Sequence, residues 1–176
     1  FDDDGATDSG SAYVFERSGS TWSQRGKLTA GNAALQDRFG ESVAINGDTA
    51  IIGAPYEDDA GTDSGVVYLF VRNGSSWSLQ AKLLASDAAP GDWFGWSVSI
   101  SGDTAVVGAY HDDDGGADSG SVYVFVRSGS TWSQQAKLVA ADAAAGDYFG
   151  EIVAVEGDTI VIGAQGDDGF RGSAYI

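Results

Sequence analysis

Apolar residues in this chain fall into short runs separated by polar breaks, and no stretch carries the three-to-four-residue spacing of a helix. Residues 94–148 show the pattern well. A first strand is predicted from Phe94 to Ile100, closed by the turn Ser101-Gly102-Asp103. A second runs from Thr104 to Ala109 and is rich in β-branched residues. After a long acidic loop comes a third, Ser121 to Arg127, and after Ser-Gly-Ser a fourth, Trp132 to Val139. One unit earlier the last turn reads Asn73-Gly74, a strong hairpin signal because both residues tolerate positive φ. The nearest helical candidate, Ala140 to Ala145, is short and leads into a glycine. The third strand, SVYVFVR, places apolar residues on both of its faces. Its sheet is therefore covered on both sides, which a two-layer sandwich does not provide.

The pattern repeats. Phe39-Gly40, Phe94-Gly95 and Phe149-Gly150 lie 55 residues apart, as do Gly47-Asp48-Thr49, Gly102-Asp103-Thr104 and Gly157-Asp158-Thr159. Residues 39–93 and 94–148 are identical at 36 of 55 positions without a gap. A period of this length makes each unit one structural element that buries its faces against its neighbours. The predicted fold is all-β: a β-propeller of four-stranded antiparallel blades stacked face to face. Residues 1–176 form a single segment, divided into a partial repeat (1–38), two whole repeats (39–93 and 94–148) and a second partial repeat (149–176).

The order of these motifs resembles the FG-GAP repeat: Phe-Gly-x-Ser-Val, a turn, Val-Val-Gly-Ala (Gly53-Ala54-Pro55 in one unit), then Gly-x-Val-Tyr-Val-Phe. That repeat builds the propeller of integrin α subunits and occurs in many bacterial extracellular proteins. The resemblance implies propeller blades, an extracellular or cell-surface setting, and a role in adhesion or ligand binding. In one respect this chain departs from the family. Calcium-binding integrin repeats carry an Asp-rich loop between the first and second strands, here reduced to Asn46-Gly47-Asp48, Ser101-Gly102-Asp103 and Glu156-Gly157-Asp158. The family's calcium site does not carry over at that position.

Composition narrows the function. With no Cys there is neither a disulfide framework nor a thiolate site, and no apolar run reaches the ~18 residues of a membrane helix. A net charge of −17 argues against nucleic acid and against anionic membranes. Because about three blades are fewer than the roughly four to eight that close a ring, the chain is expected to be a segment of a larger propeller or one part of an oligomeric ring. A start at Phe1 without Met and an end at Ile176 inside a strand favour the segment.

The charge is not spread evenly. In a meandering blade the loops joining strands two to three and four to one share a face, and they hold nineteen of the 26 acids against two bases, Arg38 and Arg171. Crowded carboxylates repel, and hard oxygen ligands suit calcium. The spacing Asp2-x-Asp4-Gly5-x-x-Asp8 recurs as Glu57-x-Asp59-Ala60-x-x-Asp63 and Asp112-x-Asp114-Gly115-x-x-Asp118. These nine acids are the candidate calcium ligands, although the first ligand of such a loop is replaced by Pro55 and Tyr110; solvated acidic turns are the alternative.

Trp93 stands in an upper-face loop where the other units have Arg38 or Tyr148. It is a candidate ligand-stacking residue, together with Tyr56 and Tyr110. Trp96 likewise departs from Glu41 and Glu151. Trp22, Trp77 and Trp132 repeat and are read as packing residues, and His111, the one histidine, as a loop residue. Arg17, Arg72 and Arg127 end the third strands on the opposite face, where they bind a neighbour or solubilise it. Taken with the extracellular setting that the resemblance implies, these residues indicate a non-catalytic module that binds a protein or glycan, with self-association to complete the propeller as the alternative. A polysaccharide-active enzyme fits least, because catalytic sites need unique converging groups and most polar residues here repeat.

Overall fold

The structure, a computed structural model, describes residues 5–176; the candidate calcium ligands Asp2 and Asp4 lie outside the described residues. Thirteen strands make up the regular structure of the described part. Strands β3 (Ser42–Asn46), β4 (Thr49–Ala54), β5 (Val66–Asn73) and β6 (Ser76–Leu83) form one four-stranded antiparallel sheet in chain order. A second sheet repeats that order with β7 (Ser97–Ser101), β8 (Thr104–Ala109), β9 (Ser121–Ser128) and β10 (Thr131–Leu138). Ahead of them stands the hairpin β1 (Ala12–Ser18) and β2 (Thr21–Leu28), which supplies strands three and four of a unit. Behind them β11 (Phe149–Glu156), β12 (Thr159–Ala164) and the short β13 (Ser173–Tyr175) supply strands one to three, with a turn at Asp168, Gly169 and Phe170, of φ 52–71°, in the connecting loop.

Successive residues of the central strands pack against different neighbours, which is why those strands lack simple alternation. Ile52, Tyr68 and Phe70 face the first hairpin with Leu28 and Phe39, whereas Ile51, Val67 and Leu69 face the next sheet with Phe94, Val107 and Tyr123. Val106 and Val122 turn the other way, onto Phe149, Val153 and Ile162 of the last sheet. The four sheets are thus consecutive blades of a partial propeller, and they do not close. Val98 and Ile100, and their equivalents Val153 and Val155, are at most 8% exposed beneath the preceding blade. Val43 and Ile45, at the same positions of β3, are 60% exposed because the first hairpin has no inner strands to cover them.

The repeated dipeptides have a packing reason. A Cβ added at Gly53 would lie 1.9 Å from the carbonyl oxygen of Gly95, and one at Gly108 1.9 Å from that of Gly150. The Phe-Gly of one blade therefore docks directly on the Gly-Ala of the blade before it, and only glycine permits that approach. On the face away from the acidic loops the arginines join blades. Arg72 holds Asp48 of its own blade and Glu16 of the preceding one; Arg127 holds Asp103 and the Thr49 hydroxyl.

Predicted and observed strands agree to within a residue or so, apart from one strand start and one hairpin turn, and one tryptophan read as packing is exposed. The first strand of the third blade begins at Ser97 rather than Phe94, as β3 begins at Ser42, whereas β11 starts at Phe149 with its register broken between Phe149 and Ile152. The hairpin turn of the second blade is Gly74-Ser75, with Asn73 the last paired residue of its strand. Trp132 is buried and donates to Gln80, and Trp77 packs on its neighbouring blade. Trp22, by contrast, is 63% exposed at the open end of the stack.

Candidate ligand-binding face

Each loop from strand two to strand three begins just after the Gly-Ala pair and drops its first acid into the seam between blades. Glu57 is 3% exposed and Asp112 4%. Such buried carboxylates must be compensated. The Lys137 ammonium, from the fourth strand of the same blade, lies 2.9 Å from Asp112, 2.6 Å from Asp114 and 2.8 Å from Asp87 of the preceding blade. The Tyr123 hydroxyl lies 2.8 Å from Asp112 and 2.9 Å from Asp87. One blade earlier the arrangement recurs: Lys82 holds Glu57 at 2.9 Å and Asp59 at 2.8 Å, and Tyr68 joins Glu57 to Asn32. In the last blade Tyr175 joins Asp167 to Asp142. Each group is a staple between adjacent blades. Burial works to lower the Lys137 pKa, but its hydrogen bonds to Asp112, Asp114 and Asp87 outweigh that and hold it above the ordinary lysine range. At Asp87 burial raises the carboxyl, while Lys137 and Tyr123 bring it below its usual range.

This geometry corrects the charge count drawn from the sequence, which gave the loop face only Arg38 and Arg171. Lys82 and Lys137 reach into it from the blade edges. It also bears on calcium. Of the nine candidate ligands, Glu57, Asp59, Asp112 and Asp114 are engaged by ammonium groups. Asp118 contacts the His111 ring, and the backbone N–H groups of Asp63 and Asp118 donate to the carboxylates of Asp58 and Asp113 at 2.8 Å. Asp8, Asp63 and Asp118 share a left-handed backbone with φ of 54–56°. At Glu57 and Asp59, and at Asp112 and Asp114, a calcium ion would compete with the lysine nitrogen already in place. Among the described residues no group of three or more His, Cys, Asp or Glu is set to hold a metal. Asp37, Asp92 and Asp147 serve the backbone, accepting from the N–H of Ala34, Ala89 and Ala144 at 2.6–2.7 Å.

The second feature of this face differs from blade to blade. The residue before each Phe-Gly pair packs on the residue eighteen positions later. The Arg38 guanidinium lies 4.3 Å over the Tyr56 ring, Trp93 lies 4.2 Å from the His111 ring, and Tyr148 sits beside Gly166. Cross-blade contacts join these pairs into one strip. Tyr56 meets Trp93 at 5.1 Å, Trp93 stacks on Trp96 at 5.4 Å, Trp96 meets Tyr110 at 5.0 Å, and Tyr110 meets Tyr148 at 5.7 Å. All but Tyr110, which is buried, are half-buried.

The three residues singled out for stacking, Trp93, Tyr56 and Tyr110, are therefore brought together. Trp96, His111 and Tyr148 complete the strip. His111 was read from the sequence as an ordinary loop residue; the signal that it belongs here is that it stands where the other blades have Tyr56 and Gly166. Acids flank the strip. Glu41 Oε2 is buried with no hydrogen-bond partner among the described residues. Burial raises the pKa of Glu151, and of Asp63, where Arg38 partly offsets it.

A family model described as FG-GAP repeat matches residues 22–70, 77–125 and 132–176. Each match begins at the tryptophan of a fourth strand and runs on through the next blade. No curated protein matches the chain.

Proposed function

The chain belongs to the FG-GAP repeat family, and we propose that it is a non-catalytic binding module of the cell exterior, of the adhesion kind, whose protein or glycan ligand seats on the aromatic strip. One observation carries this reading. Six ring-bearing residues from three blades converge at positions where a chain of otherwise near-identical repeats varies. Packing would ask for the same residue in every blade, as it does at Phe39, Phe94 and Phe149. Half-exposed tryptophan and tyrosine are the side chains that carry most energy in recognition surfaces. The non-catalytic reading rests on the acids: Glu57, Asp112 and Asp167 are bound to lysine or tyrosine, and Asp37, Asp92 and Asp147 to backbone N–H groups, in arrangements that recur from blade to blade. The exterior setting rests on the family, and no described helix is long and apolar enough to cross a membrane.

Screening glycans and matrix proteins against the chain and its Trp93→Ala variant, with and without calcium, tests the proposal. Capture of a ligand by the parent and its loss in the variant is the expected result; a screen in which nothing distinguishes the two would sink it. The open ends support a second reading, in which the blades are part of a larger ring completed by further repeats or by a second copy. Val43, Ile45 and Ile152 are 60–67% exposed there. A monomeric mass by light scattering would set aside the second copy.

A further inference from the structure

We propose that the group received by the aromatic strip is a positively charged side chain, an arginine or lysine carried on a basic peptide segment of a partner protein. This inference rests on the strip being the ligand face and adds the chemistry of what it takes. The repeats supply an internal comparison. At the first step of the strip the chain places its own guanidinium over a ring, Arg38 on Tyr56 at 4.3 Å. The next two steps carry Trp93 and Tyr148 in place of that arginine, so rings accumulate while the cation is not repeated. Rings with this much face attract cations through their quadrupole, and tryptophan does so best.

The charges around the strip point the same way. Glu41 and Asp63 border it at Tyr56, Asp118 at His111 and Glu151 at Tyr110, against Arg38 as its one arginine or lysine among the described residues. The other nearby bases of this face, Lys82 and Lys137, are committed to the staples. Glu151 is half-buried beside Tyr110 and accepts from Gln165 Nε2 at 2.8 Å. A guanidinium resting on the half-buried Tyr148 would come within reach of this carboxylate, completing for the fourth blade what Arg38 does for the second. A phosphate, sulfated sugar or acidic peptide would meet four carboxylates there against the single guanidinium of Arg38. A neutral sugar would stack on the rings but leave the carboxylates uncompensated.

The test titrates the whole chain with N-acetylated, amidated tetra-arginine at ~0.15 M salt, a level that screens diffuse attraction. Tryptophan fluorescence and calorimetry provide the readouts, and cellotetraose serves as a neutral probe. Saturable binding of tetra-arginine is expected, weakened roughly tenfold by Trp93→Ala and by the near-isosteric Glu151→Gln. Asp158→Asn, at an exposed acid on the opposite face, should leave it unchanged. If both strip variants bind tetra-arginine within about twofold of the parent, the attraction is diffuse and the inference is overturned. Should cellotetraose bind and lose affinity in Trp93→Ala while tetra-arginine does not, the strip is a ligand face for glycans: the cationic inference fails and the proposed function stands. If neither probe binds, the cationic inference fails; if the glycan and matrix-protein screen is also blank, the binding reading falls with it.

Discussion

Two regions of one loop face behave in opposite ways. The staples of lysine, buried acid and tyrosine recur from blade to blade, with Glu57, Tyr68 and Lys82 answered by Asp112, Tyr123 and Lys137. The aromatic strip arises from the same loops, within a few residues of the staples, yet changes at every step. Every seam between blades poses the same problem of a buried carboxylate and needs the same solution. No seam requires Trp96 where its neighbours carry glutamate. In a chain this repetitive, agreement marks what holds the blades together, and disagreement marks what the face is used for.

The sharpest way to break that comparison is to remove a staple's cation. Lys137→Met leaves Asp112 buried without its ammonium, and loss of one partner from a buried pair costs about 3 kcal/mol or more. Urea denaturation should show it, and Lys82→Met should behave alike. A loss under about 1 kcal/mol would mean the ion pair is decorative. The raised Lys137 pKa fixes the sign with pH. Its contribution is complete below the ordinary lysine value near 10.4 and disappears only as pH climbs through the higher folded value. The same preparation tests calcium. Stripping wild-type protein with a chelator should leave its stability unchanged, and a saturable calorimetric uptake at the loops would show that metal, not lysine, holds them.

A smaller effect is expected from Tyr123→Phe, which removes a hydroxyl between Asp112 and Asp87 but leaves Lys137 and Ser121 in place. Loss of one such hydrogen bond is worth about 1–2 kcal/mol, and Tyr68→Phe should match it. Equal losses in the two blades would confirm that the staples are interchangeable units. Trp93→Ala, by contrast, should cost about 1 kcal/mol or less in stability, because its ring is half-exposed, while abolishing most ligand affinity. A loss as large as that of Lys137→Met would place Trp93 among the packing residues and erase the distinction.

Much of this fold is legible in the sequence because repetition multiplies weak local signals. One SVYVFVR run is ambiguous between a buried strand and a buried helix, but the run recurring between Gly-Ala and Gly-Ser punctuation is not. Phe94 misled the strand boundary because strand ends are the least legible part of a pattern: β7 begins at Ser97, but its counterpart β11 begins at Phe149. The gathering of Tyr56, Trp93 and Tyr110 was foreseeable as departures from the repeat, since all three sit on one predicted face. The lysines were not. Lys82 and Lys137 lie near the ends of fourth strands, 25 residues from Glu57 and Asp112. Sequence alone does not say that a long flexible side chain crosses its sheet to the seam. Acid spacing that resembles a calcium loop therefore looked unaccompanied when its counter-ions were already in the chain.

The smallest predicted effect has the opposite sign to the rest. Asp92 is buried and accepts the Ala89 N–H at 2.7 Å. Burial raises its pKa; the Ala89 hydrogen bond works against that, and the negative charge of Asp112 adds to the rise. A carboxyl raised on folding holds its proton more tightly in the native chain. Stability therefore falls as pH climbs from the ordinary value of 3.8 through the folded one, and the cost of the buried charge persists at neutral pH. Asp92→Asn keeps an oxygen for Ala89 and removes the charge, so it should stabilise the protein at pH 7 by under about 1 kcal/mol. At about pH 3, where the parent carboxyl is protonated, the difference should vanish. Asp37→Asn, whose carboxyl is also raised by burial, should repeat the result one blade earlier. Destabilisation at pH 7 would mean that the Asp92 charge is held by Lys137 as well, which would enlarge the staple by one member and move its boundary to the edge of the aromatic strip.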